Sequence, residues 1–108
     1  MNRATYWQRG ETLDITATEA VTNGQVVSLN TRIGVAGTDI PEGEVGAVHV
    51  VGVFEFVKDS TALTLGAAAY YDKANDVITA TAAGNVPAGY AVAAADTGAA
   101  VVLVKLLG

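Results

Sequence analysis

The chain has 108 residues, of which 51% are hydrophobic but only 6% aromatic, with a net charge of −5 and no cysteine. That length suits one domain with one core, and the core has to be built from Ala and Val rather than from rings. The acidity argues against a nucleic-acid partner, since no counterion release from a phosphate backbone would favour binding, and the absent thiols exclude disulfides, Cys-ligated zinc and a Cys nucleophile.

The N-terminal MNRATYWQRGETLD lacks the apolar stretch of a secretory signal. Residues 2–10 carry Arg3, Tyr6, Trp7 and Arg9 and no acid. Trp, Tyr and Arg dominate binding hot spots, so residues 1–10 are read as an arm that contacts a partner, ahead of a single β-rich domain over 11–108. The competing reading is that Tyr6 and Trp7 begin the first strand and close one end of the core.

TLDITA, 12–17, alternates Leu13, Ile15 and Ala17 against Thr12, Asp14 and Thr16, the pattern of a half-buried strand. Asn23-Gly24 is a turn dipeptide. QVVSL, 25–29, and RIGVA, 32–36, read as short strands about a turn at Asn30-Thr31, and 37–44 as a loop broken by Gly, Asp and Pro.

GEVGAVHVVGVFEFVK, 43–58, is apolar or Gly on its even face between charged ends, and carries His49 and Glu55 among valines on its odd face. Its Val and Gly density disfavours a helix. At about 3.3 Å per residue a straight strand of this length would reach about 45 Å, so either one long central strand bends, or two strands meet at Gly52.

Downstream, 63–72 and 76–82 flank a hairpin at Lys73-Ala74-Asn75, 88–95 leads to a turn at Asp96-Thr97-Gly98, and 100–107 is the closing strand. The longest uncharged run, 77–95, is interrupted by Gly84, Asn85, Pro87 and Gly89 and reads as two strands and a turn rather than a membrane span. The Ala-rich stretches 67–69 and 91–95 allow one short helix at most. Gly24…Ile33-Gly34-Val35-Ala36 is echoed by Gly66…Ala88-Gly89-Tyr90-Ala91, which suggests two similar halves. The expected fold is mainly β: a compact small barrel or sandwich-like domain.

Reaction chemistry finds little to work with. His49 is the only histidine and reads as structural, hydrogen-bonded at the edge of the core. Ser28 and Ser60 are the only serines, and neither sits on a G-x-S-x-G elbow. Asp39, Glu42 and Glu44 could gather a hard cation or act as hydrolase carboxylates, but a solvated turn explains them. Asp72 and Asp76 straddle a hairpin, where Asp is ordinary turn chemistry, and no P-loop is present. No catalytic, metal or cofactor site is expected.

The order of motifs resembles the small capsid decoration, or cement, proteins of tailed bacteriophages and prophages. The matching residues are Tyr6, Gly10-Glu11-Thr12, Thr16-Ala17, Gly24, Gly34-Val35-Ala36, Gly43, Gly52-Val53-Phe54-Glu55, Lys58, Gly66, Tyr70-Tyr71-Asp72, Gly84-Asn85, Gly89, Val102, Val104 and Lys105. Thr18 and Val57 stand where the family usually has proline, and Tyr71 where it commonly has Trp. The RecA-type recombinase label often attached to the family fails here, because that chemistry needs a P-loop. The resemblance implies a non-enzymatic virion protein, made in the bacterial host cytoplasm and carried on the outer capsid surface. Its partners would be the phage major capsid protein and itself, commonly as a homotrimer at local three-fold positions. The alternative is a surface module binding carbohydrate or a host protein through Tyr70, Tyr71, Asp72 and Asp76.

Overall fold

The computed structural model describes residues 2–107; Met1 of the arm and Gly108 of the domain lie outside the described residues. Among these, the chain forms nine strands and no helix. They are β1 (Thr12–Thr16), β2 (Val26–Ser28), β3 (Ile33–Ala36), β4 (Val45–His49), β5 (Val53–Val57), β6 (Ala68–Asp72), β7 (Val77–Thr79), β8 (Val86–Ala91) and β9 (Val101–Leu106). All ladders are antiparallel and fall into two sheets, ordered β1-β4-β3-β2 and β5-β9-β8-β6-β7. The arrangement is sandwich-like. The second sheet curls until its edge strands β5 and β7 meet at one bridge, Lys58–Ile78, and does not close into a barrel.

The stretch 43–58 is two strands rather than one bent strand. β4 lies in the first sheet and β5 in the second, and the chain crosses between them at Gly52, whose φ of +123° suits a residue without Cβ. The Ala-rich segments are extended, because tertiary pairing overrides local helix propensity. Residues 63–67 form a bridge from Leu63 to Ala95 and a turn, so β6 starts only at Ala68. β8 starts earlier than the turn residues suggest and takes in Pro87, which is tolerated because the register against β6 slips by one residue there, leaving Ala88 as the extra residue of a bulge.

The echo between the halves is structural. Val21 and Ile40 exchange two backbone hydrogen bonds, and so do Leu63 and Ala95. The Gly24 amide donates to Ala36 and the Gly66 amide to Ala91; Ala36 donates to Gln25 and Ala91 to Ala67. Strands β1, β2, β3 and β4 therefore correspond to β5, β6, β8 and β9, and the two sheets repeat one strand order with β7 added to the second. Gly34 and Gly89 occupy equivalent places. A Cβ on Gly34 would press on Val48 and on the His49 carbonyl, and one on Gly89 would collide with the Lys105 carbonyl.

The main core joins the inner face of the second sheet, including Phe56, Tyr71, Ile78, Val102, Val104 and Leu106, to Ile33 and Val35 of β3. A smaller cluster of Ala17, Ile40 and Val48 fills the first half. Gly89→Ala is expected to lower stability by about 3 kcal/mol or more, because the clash is with backbone. Gly24→Ala, with open space around it and only a φ of +86° against it, should cost about 1 kcal/mol. Urea unfolding of both variants measures the contrast.

Candidate functional site

The polar groups held most firmly are structural. Lys58 is buried, and its Nζ donates to the carbonyls of Asp59 and Asp96 at 2.8 Å and of Ala99 at 3.3 Å. Its place in the repeat is that of Ala17: the Lys58 amide donates to Ala100 as the Ala17 amide does to Glu44. The ammonium thus ties β5 to the loop before β9. Next to it, the Asp59 carboxylate accepts from the amide and hydroxyl of Thr61. Burial works to raise this carboxyl, but hydrogen bonds from Thr61 and Thr79 and the Lys58 charge together hold it below its ordinary value.

The carboxylates singled out from the sequence are likewise occupied or scattered. Asp39 accepts from the Asn23 amide at 2.7 Å and fixes the first turn. Among the described residues no three His, Asp or Glu side chains come together as a metal site. Asp72 accepts from the Ala74 and Asn75 amides and from the Asn75 side chain, ordering the hairpin. Tyr71 is buried and donates to Asp76 at 2.6 Å. Burial, then the Asp76 carboxylate, pushes its phenol well up, so the hydroxyl stays a donor. Tyr70 and Tyr71 point to opposite faces of β6, so they form no shared aromatic platform with the two aspartates. His49 packs its ring on Phe54, centroids 5.9 Å apart, and over Gly37; among the described residues its side chain makes no hydrogen bond, so packing rather than the expected polar contact holds it.

The surface, by contrast, carries apolar groups without cover. Residues 2–10 precede the first strand, and Tyr6 and Trp7 are 80% and 87% exposed, so they do not close the core. On the outer face of the second sheet, Val57 lies opposite Val101, Glu55 opposite Leu103, and Val53 opposite Lys105, whose ammonium lies over the Tyr90 ring. Val53, Val57, Val101, Leu103 and Tyr90 are all exposed. The repeat supplies an internal comparison: the positions of Val53, Val57 and Leu103 are held in the first half by Thr12, Thr16 and Ala47. The first copy of this face keeps one exposed valine, Val45 opposite Thr16, among Thr12, Asp14 and Ala47, whereas the second carries Val53, Val57, Val101 and Leu103 around Glu55 and Lys105. Alternation in VFEFV shows two candidate faces, but only the register shows that the valines are outside.

A model of the phage cement protein family matches residues 7–106. This chain belongs to that family. Membership carries a structural role at the phage capsid. No match is found among curated proteins or among solved structures. Lys58, one of the residues that carried the family resemblance, is thus a fold determinant. The backbone of Val57, a position where the resemblance leads one to expect proline, faces away from β9, so proline there would break no ladder bond.

Lys58→Ala is expected to cost about 2–4 kcal/mol, because three carbonyls lose a charged donor and the buried stem leaves a gap. Asp59→Ala should cost about 1–2 kcal/mol at pH 7. Because the folded Asp59 carboxyl titrates below its unfolded value of about 3.9, its contribution is present above that pH and lost as pH falls through the folded value. The gap between wild type and Asp59→Ala should therefore narrow in acid, which urea unfolding at a series of pH values measures.

Proposed function

We propose that this protein binds the outer surface of an assembled phage capsid and cements it against internal DNA pressure, without catalysis. The observation that carries the reading is the apolar outer face of the second sheet. Exposed sheet faces alternate to polar residues unless something covers them, and rigid aliphatic patches mark interaction sites. Here Val53, Val57, Val101, Leu103 and Tyr90 share one face of three paired strands, with only Glu55 and Lys105 among them. A strand-held patch meets a shell at little entropic cost.

The arm adds a second contact. Tyr6 and Trp7 offer rings, and Arg3 and Arg9 offer guanidiniums that pair with carboxylates of the shell or of a neighbouring copy. Copies act as trimers at local three-fold positions, so that modest contacts add through multivalency into firm attachment. A protein with no reaction centre suits that work, in which affinity and geometry are the whole task.

The test is co-sedimentation with mature shells assembled from the major capsid protein of its own phage. Saturable binding that raises the heat resistance of the shells supports cementing, and absence of binding overturns it. Val57→Asp combined with Leu103→Asp should weaken binding by about 30-fold or more, while thermal unfolding of the free protein stays close to wild type because both residues are exposed. Equal binding by the double variant would move the docking surface away from this face.

A further inference from the structure

β5 is an edge strand: it pairs with β9 and has no partner along most of its other side. In an antiparallel ladder each residue turns both backbone groups to one side, and alternate residues turn to opposite sides. The Leu106 amide donates to Gly52 and the Lys58 amide to Ala100, so the even-numbered residues of β5 serve β9. Val53, Glu55 and Val57 direct their N–H and C=O groups the other way. The next odd residue, Asp59, finds a partner at once, donating its amide to Ile78 of β7. Between that bridge and Gly52 the seam is open, and a cleft of about 480 Å³ runs along it. Residues 54–57 form one wall, Tyr71 and residues 76–78 another, and Gln25, Val26 and His49 of the first half the end. Glu55 and Asp76 line it, and no Lys or Arg does.

We infer that the N-terminal arm of a second copy of this chain docks in this seam as an added strand along β5. A free strand edge flanked by apolar side chains is a template for an extended peptide. The arm is one: residues 2–9 form no strand or turn, and none of their side chains hydrogen-bonds within the chain among the described residues. Gly10, at a φ of +78°, turns the chain at the arm's root, and the arm stands clear of its own seam. Neighbouring residues of an added strand project to opposite faces. Tyr6 and Trp7 therefore supply one ring for the cleft, beside Phe54 and Tyr71, and one for the outer margin of β5, beside Val53 and Val57. Charge agrees in sign: Arg3 and Arg9 share one face of the added strand, and Glu55 stands between Val53 and Val57 on the outer margin of β5. The corresponding cleft of the first half is smaller, about 320 Å³, and is lined by Lys73 as well as Glu19, which suits a cationic arm less. Arm into seam is a head-to-tail contact, which links copies into a ring when the rotation closes.

The site needs no capsid, so its failure and that of the cementing reading are separate results. Trp7 is the only tryptophan, so its emission reports the arm alone. Between about 1 µM and 1 mM protein, that emission should shift to the blue as the mass from sedimentation equilibrium rises above that of the monomer. Glu55→Pro removes a seam amide and carboxylate but no bond to β9, and Glu55→Lys reverses the charge; each should weaken association about tenfold or more. A Tyr6→Ser, Trp7→Ser chain, with an intact seam and no tryptophan, should restore the shift when titrated into Glu55→Lys chains, whose arm is intact, with saturation at one to one. An emission that never shifts, a shift independent of concentration, or one indifferent to both Glu55 variants overturns the inference.

Discussion

At Gly89 the backbone of β8 lies so close to the Lys105 carbonyl that no side chain fits between them. This close approach is the constraint from which the rest of the architecture follows. A core with two Phe and a wealth of Ala and Val cannot fill wide gaps with rings, so strands must come near one another and dispersion contacts must be gained at short range. Gly34 meets the same demand against the His49 carbonyl, and Gly46 lets Ile40 lie directly on the backbone of β4. Glycine is used here for space as much as for turns.

The repeat makes the division of labour visible. Both halves build the same four-strand order, with the same reciprocal bonds at Val21–Ile40 and Leu63–Ala95. They then diverge at three points. Lys58 replaces the small Ala17 and anchors a loop by its ammonium. β7 is inserted and draws the second sheet almost shut. The outer face changes from Thr12, Thr16 and Ala47 to Val53, Val57 and Leu103. Val45 is also exposed in the first half, but the second half carries more of the uncovered apolar surface.

The sequence was most legible where one face of a strand is buried. Thr12–Thr16 alternates cleanly and forms β1, and the Lys73-Ala74-Asn75 turn joins β6 to β7 because Asp72 can collect the local amides. Reading failed where the deciding partner is distant in the chain. Nothing local says that Val50–Gly52 passes from one sheet to another, because either a bend or a break satisfies the same alternation. Pro87 looked like turn punctuation and lies inside β8, since a bulge excuses its missing donor. Lys58 looked like a charged strand end and is buried, because two of its three carbonyl partners come from residues some forty positions away. Tyr6, Trp7, Arg3 and Arg9 stood out by composition alone, and the structure adds that the two rings are exposed.

A face such as Val57–Val101–Leu103 is hazardous in the free chain, since exposed aliphatic patches and open strand edges invite disordered association. A net charge of −5 on a small domain opposes that by general repulsion. Screened within about 8 Å at physiological salt, that repulsion acts only near contact, so it weighs on every close approach that local opposite charges or packing do not offset. On the docking proposed above, selectivity would rest on local chemistry: Arg3 and Arg9 of the arm against Glu55, and the valines and leucine around it against a surface of matching shape.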